Sequence, residues 1–301
     1  MIAPKIFAGS SNTALAKEVS KKAQITLGNI EIGHFADGEI DVWVKDDVNN
    51  SNVFILQSNS LPVNDSIIEL ALIADALRRS GAHKITAVIP YFGYSRKEKQ
   101  SRSGEPISAK VVADLIVSTG INKVVCLDLH SDAIVGFFNV PVIYLTALSV
   151  LAERIKGEKL KNPIVVSPDT GGVKRARNFA SLLNAPLAVM EKHRHVDKRD
   201  KMEILSMSGE VSGDTAILID DVISTGGTII ENANALKEKG VKRIIVCATH
   251  GVFAGNAFEN LKRSPIEKVF VTDSVYQNTK SEKVEVISVA ALIANCLKEE
   301  I

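Results

Sequence analysis

Short, unbroken apolar runs alternate with longer amphipathic stretches along nearly the whole chain. VFILQ (53–57), KITAVIP (84–90), KVVCLDL (123–129), PIVVSPD (163–169), AILIDD (216–221), RIIVCATH (243–250) and KVFVTD (268–273) are such runs. A strand with one wet face alternates apolar and polar residues. Continuous Val and Ile instead mark a strand covered on both faces, as in a parallel sheet. Between the runs, SIIELALIADALRRSG (66–81), SAKVVADLIVSTG (108–120), GGVKRARNFASLLN (171–184) and TIIENANALKEKG (228–240) carry apolar residues at helical spacing. Most end at Gly or Asn, which tolerate the left-handed conformation that closes a helix. Strands alternating with helices predict an α/β fold of parallel sheets with crossover helices.

The pattern also repeats. Ala74, Ala76, Leu77, Gly81 and Ile85 recur at the same spacing as Ala233, Ala235, Leu236, Gly240 and Ile244, and VFILQS parallels AILIDD upstream. Each copy reads as strand, loop, helix, strand. Two tandem doubly wound domains are therefore expected, 1–146 and 147–301, parting within 145–149. A chain of 301 residues accommodates both.

Charge narrows the chemistry. Lys and Arg number 36 against 35 Asp and Glu, a formal net charge of +1. That excludes broad electrostatic binding of nucleic acid, so any anion site must be local. No apolar run approaches the ~20 residues of a membrane helix, and MIAPKIFAGSSN lacks the regions of a signal peptide. The expected location is the cytoplasm, without membrane contact. Cys126, Cys247 and Cys296 stand alone in apolar segments and read as buried small hydrophobes.

Against this background AILIDDVISTGGT (216–228) is unusual, because a buried strand ends on two adjacent acids. Like charges at one strand end repel, and burying them is costly. In the first copy Gln57 and Ser58 occupy the corresponding places, so the scaffold does not require acids there. Ligands of doubly wound sheets bind beyond the carboxyl ends of strands. Gly226 and Gly227 allow backbone N–H groups to approach an anion, Ser224, Thr225 and Thr228 add hydroxyls, and a helix N-terminus follows. The result is a phosphate cradle without the lysine of a Walker loop. Asp220 and Asp221 beside it suit a ribose diol, whose hydroxyls donate to carboxylates. Two other strand ends carry acids. Asp169 precedes Thr-Gly-Gly and is either a turn or cap residue or a ligand. Asp128 and His130, in CLDLHSD, are either structural or part of a metal or phosphate site.

The strand, the acid pair and STGGT in that order resemble the motif that binds phosphoribosyl diphosphate (PRPP). Phosphoribosyltransferases and the ribose-phosphate diphosphokinase (PRPP synthase) family share it. From FAGSSN (7–12) to TDSV (272–275) the chain resembles the latter family. That resemblance implies two domains of the type I phosphoribosyltransferase-like fold. It also implies transfer of the diphosphoryl group of ATP to the 1-hydroxyl of ribose 5-phosphate, giving PRPP and AMP for nucleotide biosynthesis. HFADGEI resembles the adenine-contacting loop and implies Phe35, Asp37, Gly38 and Glu39 at ATP. VIPYFGYSRKEKQSRSGEPIS resembles the ATP loop and implies Arg96 and Lys97 there. DLHSDAIVGFFNVPV implies His130 as a Mg²⁺ ligand, with Asp169 as another. MEKHR resembles the start of the catalytic loop and implies Lys192 and Arg194 as catalytic, Arg194 also at ribose 5-phosphate. Ribose 5-phosphate would further meet Asp220, Asp221, Ser224, Thr225, Gly226, Gly227 and Thr228. The polar stretch KHRHVDKRDKMEI (192–204) reads as a loop able to close. The family also implies a homo-oligomer, a hexamer. Three positions depart from what many members carry: Ser224 for Asp, Lys97 for Gln, and Asn139 for an acid.

Two other functions compete. A phosphoribosyltransferase that consumes PRPP would keep 216–228 but need neither an adenine loop nor Arg96 and Lys192. A catalytically silent regulatory homologue would not need Lys192, Arg194, His130 and Asp169.

Overall fold

A computed structural model describes residues 3–194, 202–208, 214–278 and 281–301. The chain forms two compact units. The first comprises Met1–Thr146, Ser274–Tyr276 and Ser288–Ile301; the second comprises Ala147–Asp273 and Gln277–Ile287.

In the first unit, β1 (Lys5–Ala8), α1 (Thr13–Ala23) and β2 (Thr26–Leu27) are followed by a hairpin of β3 (Ile30–His34) and β4 (Ile40–Val44). Then come β5 (Asn52–Leu56), α2 (Val63–Arg79), β6 (Lys84–Ile89), α3 (Ser108–Ser118), β7 (Lys123–Leu127) and β8 (Val142–Leu145). The sheet order is β2-β1-β5-β6-β7-β8, parallel throughout. Its central strands are buried on both faces, as unbroken apolar runs require.

The helix α4 (Leu148–Lys156) opens the second unit. There follow β9 (Pro163–Ser167), α5 (Val173–Leu183), β10 (Leu187–Arg194), β11 (Met202–Ser208), β12 (Thr215–Ile223), α6 (Gly227–Glu238), β13 (Arg243–Gly251), α7 (Ala257–Arg263), β14 (Lys268–Thr272) and β15 (Val284–Ile287). The order is β11-β10-β9-β12-β13-β14-β15, and only β11 runs antiparallel to its neighbour. Without β11, this is the strand order of the first sheet. The sequence repeat is thus a repeat of topology, with β5-α2-β6 matching β12-α6-β13. The three cysteines are buried and free, and burial pushes the Cys296 thiol up to about 11. Among the described residues, no helix is long and apolar enough to cross a membrane.

The helices that follow the two edge strands belong to opposite units. β8 closes the first sheet, yet the next helix, α4, packs in the second unit. There Leu148, Leu151 and Ile155 join a core with Val165, Phe179 and Phe270. β15 closes the second sheet, yet the next helix, α8 (Ala290–Glu299), belongs to the first unit and buries Ile293 and Leu297. The same ionic device fastens each. Glu158, just past α4, meets Arg243 at the start of β13 and Lys268 at the start of β14, both at 3.0 Å. Glu300, just past α8, meets Lys84 at the start of β6 at 3.3 Å and Lys123 at the start of β7 at 2.6 Å. These are equivalent strands in the two sheets, so the duplication extends to its charges.

Candidate active site

β12 pairs with β9 as far as Leu218, opposite Val166, and then continues beside β13 to Ile223. Asp220 and Asp221 therefore lie beyond the carboxyl end of β9, where a doubly wound sheet opens its ligand crevice. Asp221 is 3% exposed. Its backbone N–H donates to Asp220 Oδ1 at 2.9 Å. Arg175, in the first turn of α5, places Nη1 3.0 Å from Asp221 Oδ1 and 3.4 Å from Asp220 Oδ1. Desolvation and then the charge of Asp221 hold the Asp220 carboxyl well above the ordinary range, although Arg175 pulls it down. A diol donating hydrogen bonds to the charged form would relieve that cost.

Past Ile223 the chain turns through Ser224, Thr225 and Gly226 into α6. Gly226 has φ +80°, a conformation that favours glycine. A Cβ on Gly227 would meet nothing nearer than Thr225 Oγ1 at 3.9 Å, so the space above the turn is open. No side chain caps α6. Its first-turn amides therefore keep their capacity for an external anion, and the dipole favours one. Thr225, Gly227 and Thr228 are exposed and Ser224 is half-buried.

The turn after β9 lies on a neighbouring strand end. Asp169 Oδ1 accepts from the Gly172 N–H at 2.9 Å, and the Asp169 carbonyl accepts from Ser167 Oγ at 2.7 Å. Asp169 is exposed, and its second carboxylate oxygen has no partner among the described residues. Asn232 of α6 donates to the Pro168 carbonyl at 3.0 Å, tying this turn to the helix that follows the glycine turn. The fold thus joins Asp169, Arg175, Asp220, Asp221 and the STGGT turn in one unit. The sequence reading missed Arg175 and Asn232. Both are single polar residues within ordinary helical patterns, and no local signal separates them from solvated positions.

Phe35 to Glu39 form the tip of the β3–β4 hairpin, closed by Phe35 N–H to the Glu39 carbonyl at 2.8 Å, with Gly38 at φ +95°. Phe35 is 55% exposed, and Asp37 and Glu39 face solvent. Arg96 and Lys97 are exposed in the segment before α3; Lys97 lies 3.6 Å from Glu105, whereas Arg96 makes no ion pair among the described residues. His130 is exposed beyond β7, after Asp128 at φ +38°. It belongs to the first unit and Asp169 to the second. Asn139 donates to Asp114 at 3.4 Å.

Lys192 and Arg194 differ from expectation in local structure. They end β10 and pair with Ile204 and Met202 of β11, so 192–194 and 202–204 are strand where a loop was expected. An antiparallel strand pair at a sheet edge tolerates such polar sequence. The segment 195–201 lies outside the described residues.

Among the described residues no three His, Cys, Asp or Glu side chains converge to hold a metal. Mg²⁺ does not require such a cage. One or two carboxylates suffice when water and substrate phosphates complete an octahedron. The open oxygen of Asp169, beside the uncapped glycine turn, fits that donor set.

Sequence models of two protein families match this chain. The N-terminal domain of ribose phosphate pyrophosphokinase matches residues 4–120, and the phosphoribosyl synthetase-associated domain matches residues 198–300. A ribose-phosphate pyrophosphokinase of Aquifex aeolicus is 46% identical over 297 residues, covering 98% of this chain and 94% of that protein. Its counterpart in Haemophilus ducreyi is 45% identical over 300 residues, with the same two coverages of 98% and 94%. The crystal structure of phosphoribosylpyrophosphate synthetase from Mycobacterium smegmatis superposes with a TM-score of 0.91 at 36% identity, covering 99% of this chain and 98% of that one. The chain belongs to the ribose-phosphate pyrophosphokinase family.

Proposed function

We propose that this enzyme transfers the diphosphoryl group of ATP to the 1-hydroxyl of ribose 5-phosphate, releasing AMP and PRPP for nucleotide biosynthesis. The carrying observation is the Asp220–Asp221 pair at the end of β12, leading directly into an uncapped, open glycine turn. The turn and the α6 amides, with Ser224, Thr225, Gly226, Gly227 and Thr228, take the 5-phosphate. Asp220 and Asp221 accept from the ribose hydroxyls and so orient the 1-hydroxyl toward the donor. Phe35, Asp37, Gly38 and Glu39 hold the adenine, and Arg96 and Lys97 hold the nucleotide.

Transfer of so anionic a group depends on positioning and charge stabilisation rather than on covalent chemistry by the protein. Lys192 and Arg194 supply cations to the migrating diphosphoryl group, and Arg194 also meets the sugar phosphate. Mg²⁺ supplies neutralisation of the phosphates, with Asp169 and His130 as the residues that would hold it.

The protein works in the cytoplasm as a homo-oligomer, a hexamer by family resemblance. An exposed apolar face on α2 and α3, with Ile68, Leu72, Val111 and Leu115, supports self-association. A phosphoribosyltransferase role is disfavoured by the family and by the whole-chain match to synthases. Phosphorus NMR of the protein with ATP, Mg²⁺ and ribose 5-phosphate tests the reading. AMP and PRPP should appear in equal amounts. Consumption of PRPP with a nucleobase, and no such synthesis, would identify a transferase; no turnover of either kind would identify a silent homologue.

A further inference from the structure

A cation in the first turn of a helix sits against the positive end of the helix dipole, so α5 gains nothing locally from Arg175. The side chain nevertheless turns inward and is only 15% exposed. It ends on the two acids, with Nη1 3.0 Å from Asp221 Oδ1 and 3.4 Å from Asp220 Oδ1. The Asp221 side chain is 4% exposed, too buried to remain charged without a partner. Asp220 Oδ1 is held twice, by Arg175 Nη1 and by the Asp221 N–H at 2.9 Å. Two contacts on one oxygen restrain that carboxylate. Gly172, which caps α5, brings the turn close: a Cβ there would lie 3.0 Å from Ser167 Oγ and 3.9 Å from Arg175 Nη1.

We propose that Arg175 is a positioning residue for ribose recognition: by bridging Asp220 and Asp221 it holds both carboxylates oriented to accept from the vicinal hydroxyls of the pentose. The inference rests on the ribose 5-phosphate reading of this site. Arg175 itself need not touch the substrate. Its removal should therefore act on pentose binding before it acts on the transfer step, and should leave ATP recognition alone. One guanidinium nitrogen, Nη1, makes both contacts, so a lysine ammonium at the same place restores a large part of the effect.

The test compares Arg175→Met and Arg175→Lys in the full-length protein, by steady-state kinetics and by calorimetric titration with ribose 5-phosphate. Arg175→Met should raise KM for ribose 5-phosphate at least tenfold, change KM for ATP less than twofold, and lower kcat much less than KM rises. Arg175→Lys should recover a large part of the loss. An unchanged KM for ribose 5-phosphate would overturn the inference, and so would parallel losses for both substrates that lysine does not rescue. Should Arg175→Met fail to fold, as circular dichroism would show, the lysine variant decides: a KM for ribose 5-phosphate equal to that of the parent overturns the proposal. A parent protein that turns over normally while the variants keep normal KM values refutes the role of Arg175 alone. A parent that binds no ribose 5-phosphate refutes the underlying site reading and the role with it.

Discussion

Replacing Asp220 by Asn should stabilise the fold and weaken the enzyme together. Opposing charges at 3–4 Å interact by about 4–5 kcal/mol at an effective dielectric near 20. The attraction of Arg175, 3.4 Å away, is therefore of the same order as the repulsion from Asp221, and the two nearly offset. What remains is the desolvation of a half-buried carboxylate, the foremost cause of its raised pKa. The neutral amide would remove that cost and leave the 3.0 Å Arg175–Asp221 pair intact. A gain of about 1–2 kcal/mol is expected, or about 2–8 °C in Tm. The sign with pH follows. Because the folded pKa lies above the unfolded value of 3.8, the fold favours the protonated acid. The parent therefore loses stability relative to Asp220→Asn as pH rises from 3.8 through the folded pKa, and the gap is constant above it. Binding moves the other way. Losing the charge on an acceptor of sugar hydroxyls costs about 1.5–3 kcal/mol, which is about a tenfold to hundredfold rise in KM for ribose 5-phosphate. Scanning calorimetry across pH and steady-state kinetics measure both halves. A variant that melts lower and keeps a normal KM would show Asp220 to be structural, and the site reading would fall.

Three further outcomes are expected. Lys192→Ala should cut kcat by at least about a hundredfold with the Kd for ATP nearly unchanged, because a transition-state contact is lost rather than ground-state binding; near-normal turnover rejects the assignment. Glu158→Gln and Glu300→Gln should each cost about 1–2 kcal/mol in urea unfolding, discounted for partly exposed partners. Hydrogen bonds from Lys268, Arg243 and Arg154 outweigh burial and hold the Glu158 carboxyl below its usual range, and Lys123 foremost does so for Glu300. That stability is present above the unfolded pKa of 4.5 and lost as pH falls through the lower folded value, so both variants should lose less than the parent on acidification. Finally, on the proposal that Phe35, Asp37 and Glu39 reach an ATP site on a neighbouring subunit, an Asp37→Ala/Glu39→Ala double variant mixed under subunit exchange with Lys192→Ala should regain activity; mixed oligomers without activity, or an active monomer, would refute this.

Central strands and the glycine turn were legible in the sequence because both are written in adjacent residues. A strand covered on both faces must be an unbroken apolar run, and each of the seven runs is a strand. A tight strand-to-helix turn favours glycine where φ is positive, and Gly226 has φ +80°. Edge elements were not legible. β2 is two residues long, and β15 is four with Glu285 inside it, so neither leaves a long apolar run.

The linear sequence by itself determined the α/β class, the duplication and the acids beside the glycine turn, because repetition and local backbone chemistry survive in one dimension. Tertiary structure alone decided that Arg175, 45 residues before Asp220, ends on the acid pair. It alone decided that α4 and α8 pack in opposite units from the strands they follow, each fastened by a glutamate to two strand-start cations. Neither leaves a sequence pattern, for a physical reason. A charge finds its partner by proximity in space, and a helix takes whichever apolar face lies within reach of its connection, so both are set by where the folded chain returns.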